Sequence, residues 1–328
     1  MRYLLIVIAS IAIAVAPFTA NGQTAPSTGS GQAYPTKSIR FIVPVTTGGP
    51  SDLVARLLGE KLSASLGKQV IVDNRPGASN TVGAAMVAKA DPDGYTLLQA
   101  AANMATVAIL MPDLTFDTVK DFAPVSLTHL TPYVIVVSSQ SPVKSLPELL
   151  KFIKDNPGKI TYGTTGEGSP QQLATLLFAQ TVGGLGTMTE VAYKGSSAAH
   201  PDLIANRISF MIDPLAAAGP HIKAGFLRGL AVTTLQRYPS FPDLPTATEN
   251  GVPGYDFSSW GGVFAPASTP RAIVQKLNKE IGAALASPDL SKRFADMGLV
   301  AKHSTPDEFG KFLQSEITRW GAVLKRKP

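Results

Sequence analysis

Two short segments echo one another in residue types that suit the capture of an anion. Thr46-Thr47-Gly48-Gly49-Pro50-Ser51 and Thr164-Thr165-Gly166-Glu167-Gly168-Ser169 each follow a strand-like run and open a helical pattern. Glycines let a backbone come close to a ligand, and free N–H groups at a helix start attract negative charge. In open α/β sheets such loops lie at the carboxyl ends of strands, where ligands sit. Thr46, Thr47, Gly48, Gly49 and Ser51 are therefore candidate binding residues, as are Thr164, Thr165, Gly166, Gly168 and Ser169. The same residue types also make ordinary turns. Ser169-Pro170-Gln171-Gln172 reads as a capping box with Pro at the first helical position. A third loop, Lys194-Gly195-Ser196-Ser197, adds Gly195 as a further candidate. Asp213 ends a Phe210-Met211-Ile212 strand and either points at a ligand or caps a turn. Asn103 follows the third strand and is a weaker candidate for the same cleft.

Catalysis finds little support. The chain has no cysteine, which excludes disulfides, thiol nucleophiles and thiolate metal sites. His129, His200, His221 and His303 are scattered without ligand spacing. There is no Gly-x-Ser-x-Gly elbow, and Gly48-Gly49 lacks the Lys-Ser/Thr that grips a nucleotide. Asp91 and Asp93 fall in a Pro-Asp-Gly turn. No catalytic residue, cofactor or metal site is expected. The formal charge of +6 has one basic cluster, Lys325-Arg326-Lys327, which is no nucleic-acid footprint.

The elements that must position these loops alternate. Ile39–Val43, Val70–Val72 and Tyr95–Leu98 read as strands, the first two each followed by a helical pattern. Tyr133–Val137, Ile160–Tyr162, Val191–Tyr193, Phe210–Ile212 and Gly229–Val232 repeat the scheme, with a helix over Ser145–Lys154. Two helices close the chain, around Ile273–Leu285 and Phe309–Leu324, after a Gly, Pro and aromatic stretch over 251–266. This alternation predicts parallel sheets flanked by helices, and the length favours two α/β lobes. Upstream, Met1-Arg2, an apolar run over Leu4–Ala16 and the small residues Ala20-Asn21-Gly22 predict a cleaved signal peptide over 1–22. The run is shorter than the about 20 residues of a spanning helix. A flexible leader over 23–33 follows. Without an N-terminal cysteine for lipid attachment, the processed chain is expected free in the periplasm.

The ordered motifs resemble those of the periplasmic substrate-binding proteins of tripartite tricarboxylate transporters, the Bug receptors. They run from Val43-Pro44 and Gly48-Gly49-Pro50-Ser51-Asp52 through Asp73-Asn74-Arg75-Pro76-Gly77-Ala78, Asp91–Leu98 and Asp121–Val125. Tyr193-Lys194-Gly195, Leu244-Pro245-Thr246, Gly254-Tyr255, Trp260 and Ala265-Pro266 complete the set. The resemblance implies a type II-like periplasmic-binding-protein fold of two lobes, each a mostly parallel sheet flanked by helices. The lobes would span 34–132 with 248–328, and 133–247. A small mono- or dicarboxylate would lie in the inter-lobe cleft, held largely by backbone N–H groups and water. It adds Asp52, Gln172 and Tyr193 to the candidate residues. Thr46-Thr47 stands where many relatives carry Pro or Ala, and Gln172 where His is common, which bears on ligand identity. The implied partner of a monomeric receptor is a membrane permease, or alternatively a sensor kinase. Intact-mass analysis of periplasmic material is expected to show a chain beginning near Gln23. Met1 retained in a membrane pellet would contradict export with cleavage.

Overall fold

The computed structural model describes residues 34–184 and 186–325; the expected signal peptide and leader lie outside them, as do Arg326 and Lys327 of the basic tail. The first stretch runs β1 (Ile39–Val43), α1 (Pro50–Leu66), β2 (Val70–Asn74), α2 (Thr81–Ala88), β3 (Thr96–Ala101) and α3 (Asn103–Leu110). A 17-residue strand, β4 (Phe122–Ser138), follows. Next come α4 (Leu146–Asp155), β5 (Ile160–Thr164), α5 (Pro170–Val182), β6 (Met188–Ala192), α6 (Ser196–Ile204), β7 (Phe210–Pro214), α7 (Leu215–Lys223) and β8 (Leu227–Val232). The chain ends in β9 (Ser258–Pro266), α8 (Arg271–Leu285), α9 (Pro288–Asp296), β10 (Val300–Ala301) and α10 (Pro306–Leu324).

The strand order is β2-β1-β3-β9-β4-β7-β5-β6, with β8 and β10 also on β4. Parallel pairs join β1 with β2 and β3, and β5 with β6 and β7. Every antiparallel pair involves β4 or β9, so the sheet is mixed where the sequence pattern suggested parallel strands. β4 serves two sheets in turn. Phe122 to Pro132 pair with β9, and Tyr133 onward pairs with β7, while β8 takes the segment from Val134.

This topology orients the loops. In the first sheet β4 runs with β1 and β3, because all three oppose or flank an antiparallel β9. In the second it opposes β7, and therefore also β5 and β6. The carboxyl ends of β1 and β3 thus point towards the second sheet, and those of β5, β6 and β7 point back. Near the crossing, Ala101 pairs with Gly261 and Pro214 with Tyr133.

A second crossing, between β8 and β9, is tied to β4 by Thr233, which is wholly buried. Its N–H donates to the Tyr133 carbonyl at 3.0 Å, and its carbonyl accepts the Phe257 N–H at 2.9 Å. Its hydroxyl accepts the Tyr133 N–H at 3.2 Å and donates to the Phe257 carbonyl at 2.7 Å. The Tyr133 and Phe257 rings meet edge to face at 4.9 Å.

One core cluster runs through both sheets, from Ile42 and Leu98 to Ile160 and Phe210, and includes Trp260, Phe309 and Trp320. The buried Glu316 carboxylate accepts both indole N–H groups, from Trp260 at 3.2 Å and Trp320 at 3.0 Å. Gly261 and Gly262 lie inside β9 because rings occupy the space of their side chains. A Cβ would sit 2.2 Å from the His129 ring at Gly261 and 2.3 Å from Phe309 at Gly262. The helix ends follow local rules. Gly67 and Gly183 close α1 and α5 in the left-handed conformation, and Thr305 with Glu308 forms a capping box on α10. A chain cut after Pro245 loses β9, the strand between β3 and β4. It is expected to melt without a cooperative transition in calorimetry, and a sharp transition would contradict this account of the core.

Candidate functional site

The first candidate loop leaves β1 and enters α1. Thr46, Thr47 and Gly48 are exposed, while Gly49 and Ser51 are half-buried. Asp52 is 1% exposed and faces into the loop. Its Oδ2 accepts the Gly48 N–H and the Arg56 Nε–H, each at 2.9 Å, and its Oδ1 accepts the Asn74 amide at 2.9 Å. Asn74 also donates to the Val45 carbonyl at 3.1 Å and accepts the Thr47 hydroxyl at 3.2 Å. Asp52 therefore shapes the loop from behind, with both oxygens engaged within the protein. Burial by itself raises the Asp52 pKa. The Arg56 guanidinium, the Gly48 N–H and the Asn74 amide overcome it and hold the carboxyl below its usual value.

The second loop leaves β5 and enters α5. Thr164 is fully buried, and its hydroxyl donates to Glu190 Oε1 at 2.5 Å and accepts the Gly166 N–H at 3.1 Å. The other Glu190 oxygen accepts the Gln172 amide at 2.8 Å, and Gln172 Oε1 accepts the Gly168 N–H at 2.8 Å. Ser169 caps α5 by accepting the Gln172 N–H at 3.2 Å. Only this half of the expected capping box forms, because the Gln172 side chain serves Gly168 and Glu190. Thr164 and Gln172 are thus internal braces of the loop. Gly166 and Gly168 have φ of 100° and 70°. A Cβ on Gly168 would lie 2.7 Å from Leu110, so this loop approaches the end of α3 across from it.

Behind these loops lies a polar network on the second sheet. Thr165 donates its hydroxyl to Gln171 Oε1 at 2.9 Å. The Gln171 amide reaches Asp213 Oδ1 at 3.5 Å, and Ser196 Oγ donates to the same oxygen at 2.6 Å. Asp213 Oδ2 lies 2.9 Å from His200 Nε2, both side chains buried, and the His200 and His221 rings meet at 4.6 Å. Asp213 thus joins the starts of α5 and α6, with Gly195 at φ 108° between β6 and α6. Tyr193 packs beside the Ala199, Leu203 and Met211 cluster and donates its hydroxyl to Asp202 at 2.9 Å. Asn103, at the start of α3, donates to the Ser79 carbonyl at 2.9 Å. It anchors a turn in which Ala78, Ser79 and Asn80 all have positive φ, a strained geometry of the kind that gathers at functional sites.

Asn74, Arg56, Gln171, Glu190, Ser196 and His200 support this site without having been singled out as ligand residues. Gln171 sits beside the recognised cap, and Asn74 lies within the Asp73-Asn74-Arg75 motif. For Glu190 and His200 no local pattern marks the contact. Neither of the first two loops carries Lys or Arg; their polar donors are N–H groups and hydroxyls beside the starts of α1 and α5, the positive ends of the helix dipoles. Among the described residues no group of acidic and histidine side chains is arranged to hold a metal ion, and no helix is long and apolar enough to cross a membrane.

Replacing Asp52 by Ala strands the Gly48 N–H and the Asn74 amide. The expected loss is about 1–3 kcal/mol, read as a lower urea midpoint at pH 7. The depressed native pKa stabilises the fold above the ordinary carboxylate value of about 3.9, and this contribution fades as pH falls through the native value. The urea midpoint of Asp52→Asn is therefore expected to fall less on acidification than that of the parent. An equal fall would contradict the depressed pKa.

Known proteins share this sequence pattern and fold. Residues 54–328 match the family model for the tripartite tricarboxylate transporter family receptor, TctC. A UPF0065 protein from the tcbD-tcbE intergenic region of Pseudomonas sp. strain P51 is 36% identical over 319 residues, covering 97% of this chain and 93% of the relative. Protein BugT of Bordetella pertussis is 36% identical over 298 residues, covering 90% of this chain and 91% of its own. Among solved structures, R. palustris Rpa4515 with adipate has a TM-score of 0.77 at 35% identity, covering 89% of this chain and 97% of that one. MatC (Rpa3494) from Rhodopseudomonas palustris with bound malate has a TM-score of 0.72 at 31% identity, covering 88% and 99%. With its two-lobed α/β architecture and its opposed strand-end loops, the chain belongs to the TctC/Bug family of periplasmic solute-binding receptors, which are not enzymes.

Proposed function

We propose that this receptor captures a small carboxylate between the 46–52 and 164–169 loops and delivers it to the membrane permease of a tripartite transporter. The observation that carries the reading is the pair of glycine-containing loops on opposed strand ends, each opening a helix. A dicarboxylate suits them best, since each loop can take one end. The adipate and malate in the related structures are of that class. The lobes correspond to 34–132 with 248–328, and to 133–247, joined by the crossings at Pro132-Tyr133 and Thr233. They close as a hinge, with the ligand favouring the closed state. The signal peptide is cleaved and the receptor acts as a monomer.

Thr46, Gly49, Ser51, Ser169 and Gly195, with the Thr47 and Thr165 N–H groups, offer the ligand donors. The N–H groups of Gly48, Gly166 and Gly168 and the hydroxyls of Thr47 and Thr165 are spent inside the loops and shape the approach. Asp52, Asn103, Thr164, Gln172, Tyr193 and Asp213 act by holding those donors in place. The two groups respond differently to mutation. The Thr46 side chain is exposed, and among the described residues its hydroxyl has no hydrogen-bond partner. A hydrogen bond to a charged group is worth about 1.5–3 kcal/mol, so Thr46→Val is expected to weaken binding roughly tenfold or more. Its ligand-free melting temperature should be unchanged. Thr164→Val strands Glu190 and the Gly166 N–H, and should lower the melting temperature of the free protein. A thermal-shift screen of adipate, malate and other small carboxylates, followed by calorimetry, supplies the readout. No binding across the screen would overturn the carboxylate reading. Unchanged affinity in Thr46→Val would remove that hydroxyl from it.

A further inference from the structure

A cavity of about 900 Å³ lies along the two crossings, and none of the candidate ligand residues lines it. Its wall comes from β4 just before its crossing and from both ends of the β8–β9 return. Leu130 and Pro132 belong to β4, residues 234–240 follow β8, Asp256 and Ser258 lead into β9, and β10 and α10 close the far side. Volumes of about 300–1,000 Å³ are those of small-molecule sites.

The lining has a definite chemistry. Leu130, Leu235, Leu299, Val300 and Phe312 make an apolar surface. Leu235 and Val300 are 59% and 40% exposed, although large apolar side chains are otherwise mostly covered. Of the charged groups, Arg237 is held by Glu249, with Nε at 3.2 and 3.0 Å from its two oxygens. Arg319 is held by Glu316 at 3.5 Å and by the Asp256 carbonyl. Lys302 lines the same wall and makes no salt bridge among the described residues. Glu249 and Glu316 neutralise Arg237 and Arg319, which leaves Lys302 as the lining cation without a salt bridge and Asp256 as the remaining acid, its carboxyl pKa pushed up by burial.

We infer that this cavity is a second ligand site, for an amphipathic monoanion with an aryl or alkyl body and a single carboxylate or sulfonate. The anionic group pairs with Lys302 at the rim, and the apolar body covers Leu235, Val300 and Phe312. An occupant touches β4 just before its crossing and both ends of the β8–β9 return, and braces them against each other. The site is independent of the cleft between the loops, and its failure would leave the carboxylate reading untouched.

The probe is 8-anilinonaphthalene-1-sulfonate, an aromatic monoanion that brightens in apolar surroundings, titrated into the folded mature protein. The expected result is a saturable signal with one site per chain. Lys302→Glu and Leu235→Asp, both at exposed side chains, should each weaken it at least tenfold. Thr46→Glu, which places the same charge in the cleft, should leave it unchanged. Circular dichroism checks that all three variants fold. Absence of saturable binding would overturn the inference, as would equal affinity in the Lys302 and Leu235 variants. Displacement of the probe by adipate, or loss of its binding in Thr46→Glu, would place it in the cleft and overturn the inference too.

Discussion

One unbroken strand has to serve two sheets, and the rest of the structure follows from that. β4 is hydrogen-bonded to β9 as far as Pro132 and to β7 from Tyr133 onward. Because it reads parallel to β1 and β3 but antiparallel to β5, β6 and β7, the carboxyl ends of both sets face the junction. Thr233 fastens the returning chain at the same level, using its backbone and its hydroxyl against Tyr133 and Phe257. A buried hydroxyl with all of these partners satisfied fixes where the second crossing lies, since a shift along β4 would strand polar groups. The crossings therefore set which loops oppose each other.

The loops share a second design. Each has a carboxylate behind it that faces the protein. Asp52 gathers the Gly48 N–H, Asn74 and Arg56. Glu190 holds Thr164 and Gln172, and Asp213 holds Ser196, Gln171 and His200. A carboxylate aimed at an anionic ligand would repel it, whereas one turned inward fixes the loops that the proposed ligand would meet. Holding the donors before binding reduces the ordering cost of association. Burial makes such carboxylates costly unless hydrogen-bonded, and each has at least two partners. An acid-labile loop follows from the same chemistry, because protonating Asp52 removes the ion pair with Arg56.

Much of this was legible in the sequence where the signal is local. The TTG echo, the β-branched runs and the Ser169-Pro170 helix start are contiguous in the chain, and the structure places them as strand, loop and helix. The first half of β4 was not legible, because Pro124 and Pro132 interrupt it and Pro is normally confined to strand edges. β9 was hidden by Gly261-Gly262, which depress strand propensity but are required by the His129 and Phe309 rings. These are the crossing strands, so the mixed pairing of the sheet was missed with them. At the site, residue types suggested that Thr164 and Thr165 both donate to a ligand. The fold instead buries the Thr164 hydroxyl against Glu190, 26 residues away. Glu190 and His200 act only through such long-range contacts, which no spacing rule reports.

The central claim is that one small carboxylate is held by loops from both sheets at once. Hydrogen exchange measured by mass spectrometry, with and without a saturating dicarboxylate found by thermal shift, tests it most directly. Slow exchange of an amide reports how rarely its hydrogen bond opens. The account predicts that the ligand increases protection in three segments together: 46–53, 164–173 and 194–198. The crossings at 130–134 and 232–234 should be protected already in the free protein. Protection confined to the loops of one sheet, or centred on 234–240 and 299–302, would contradict it.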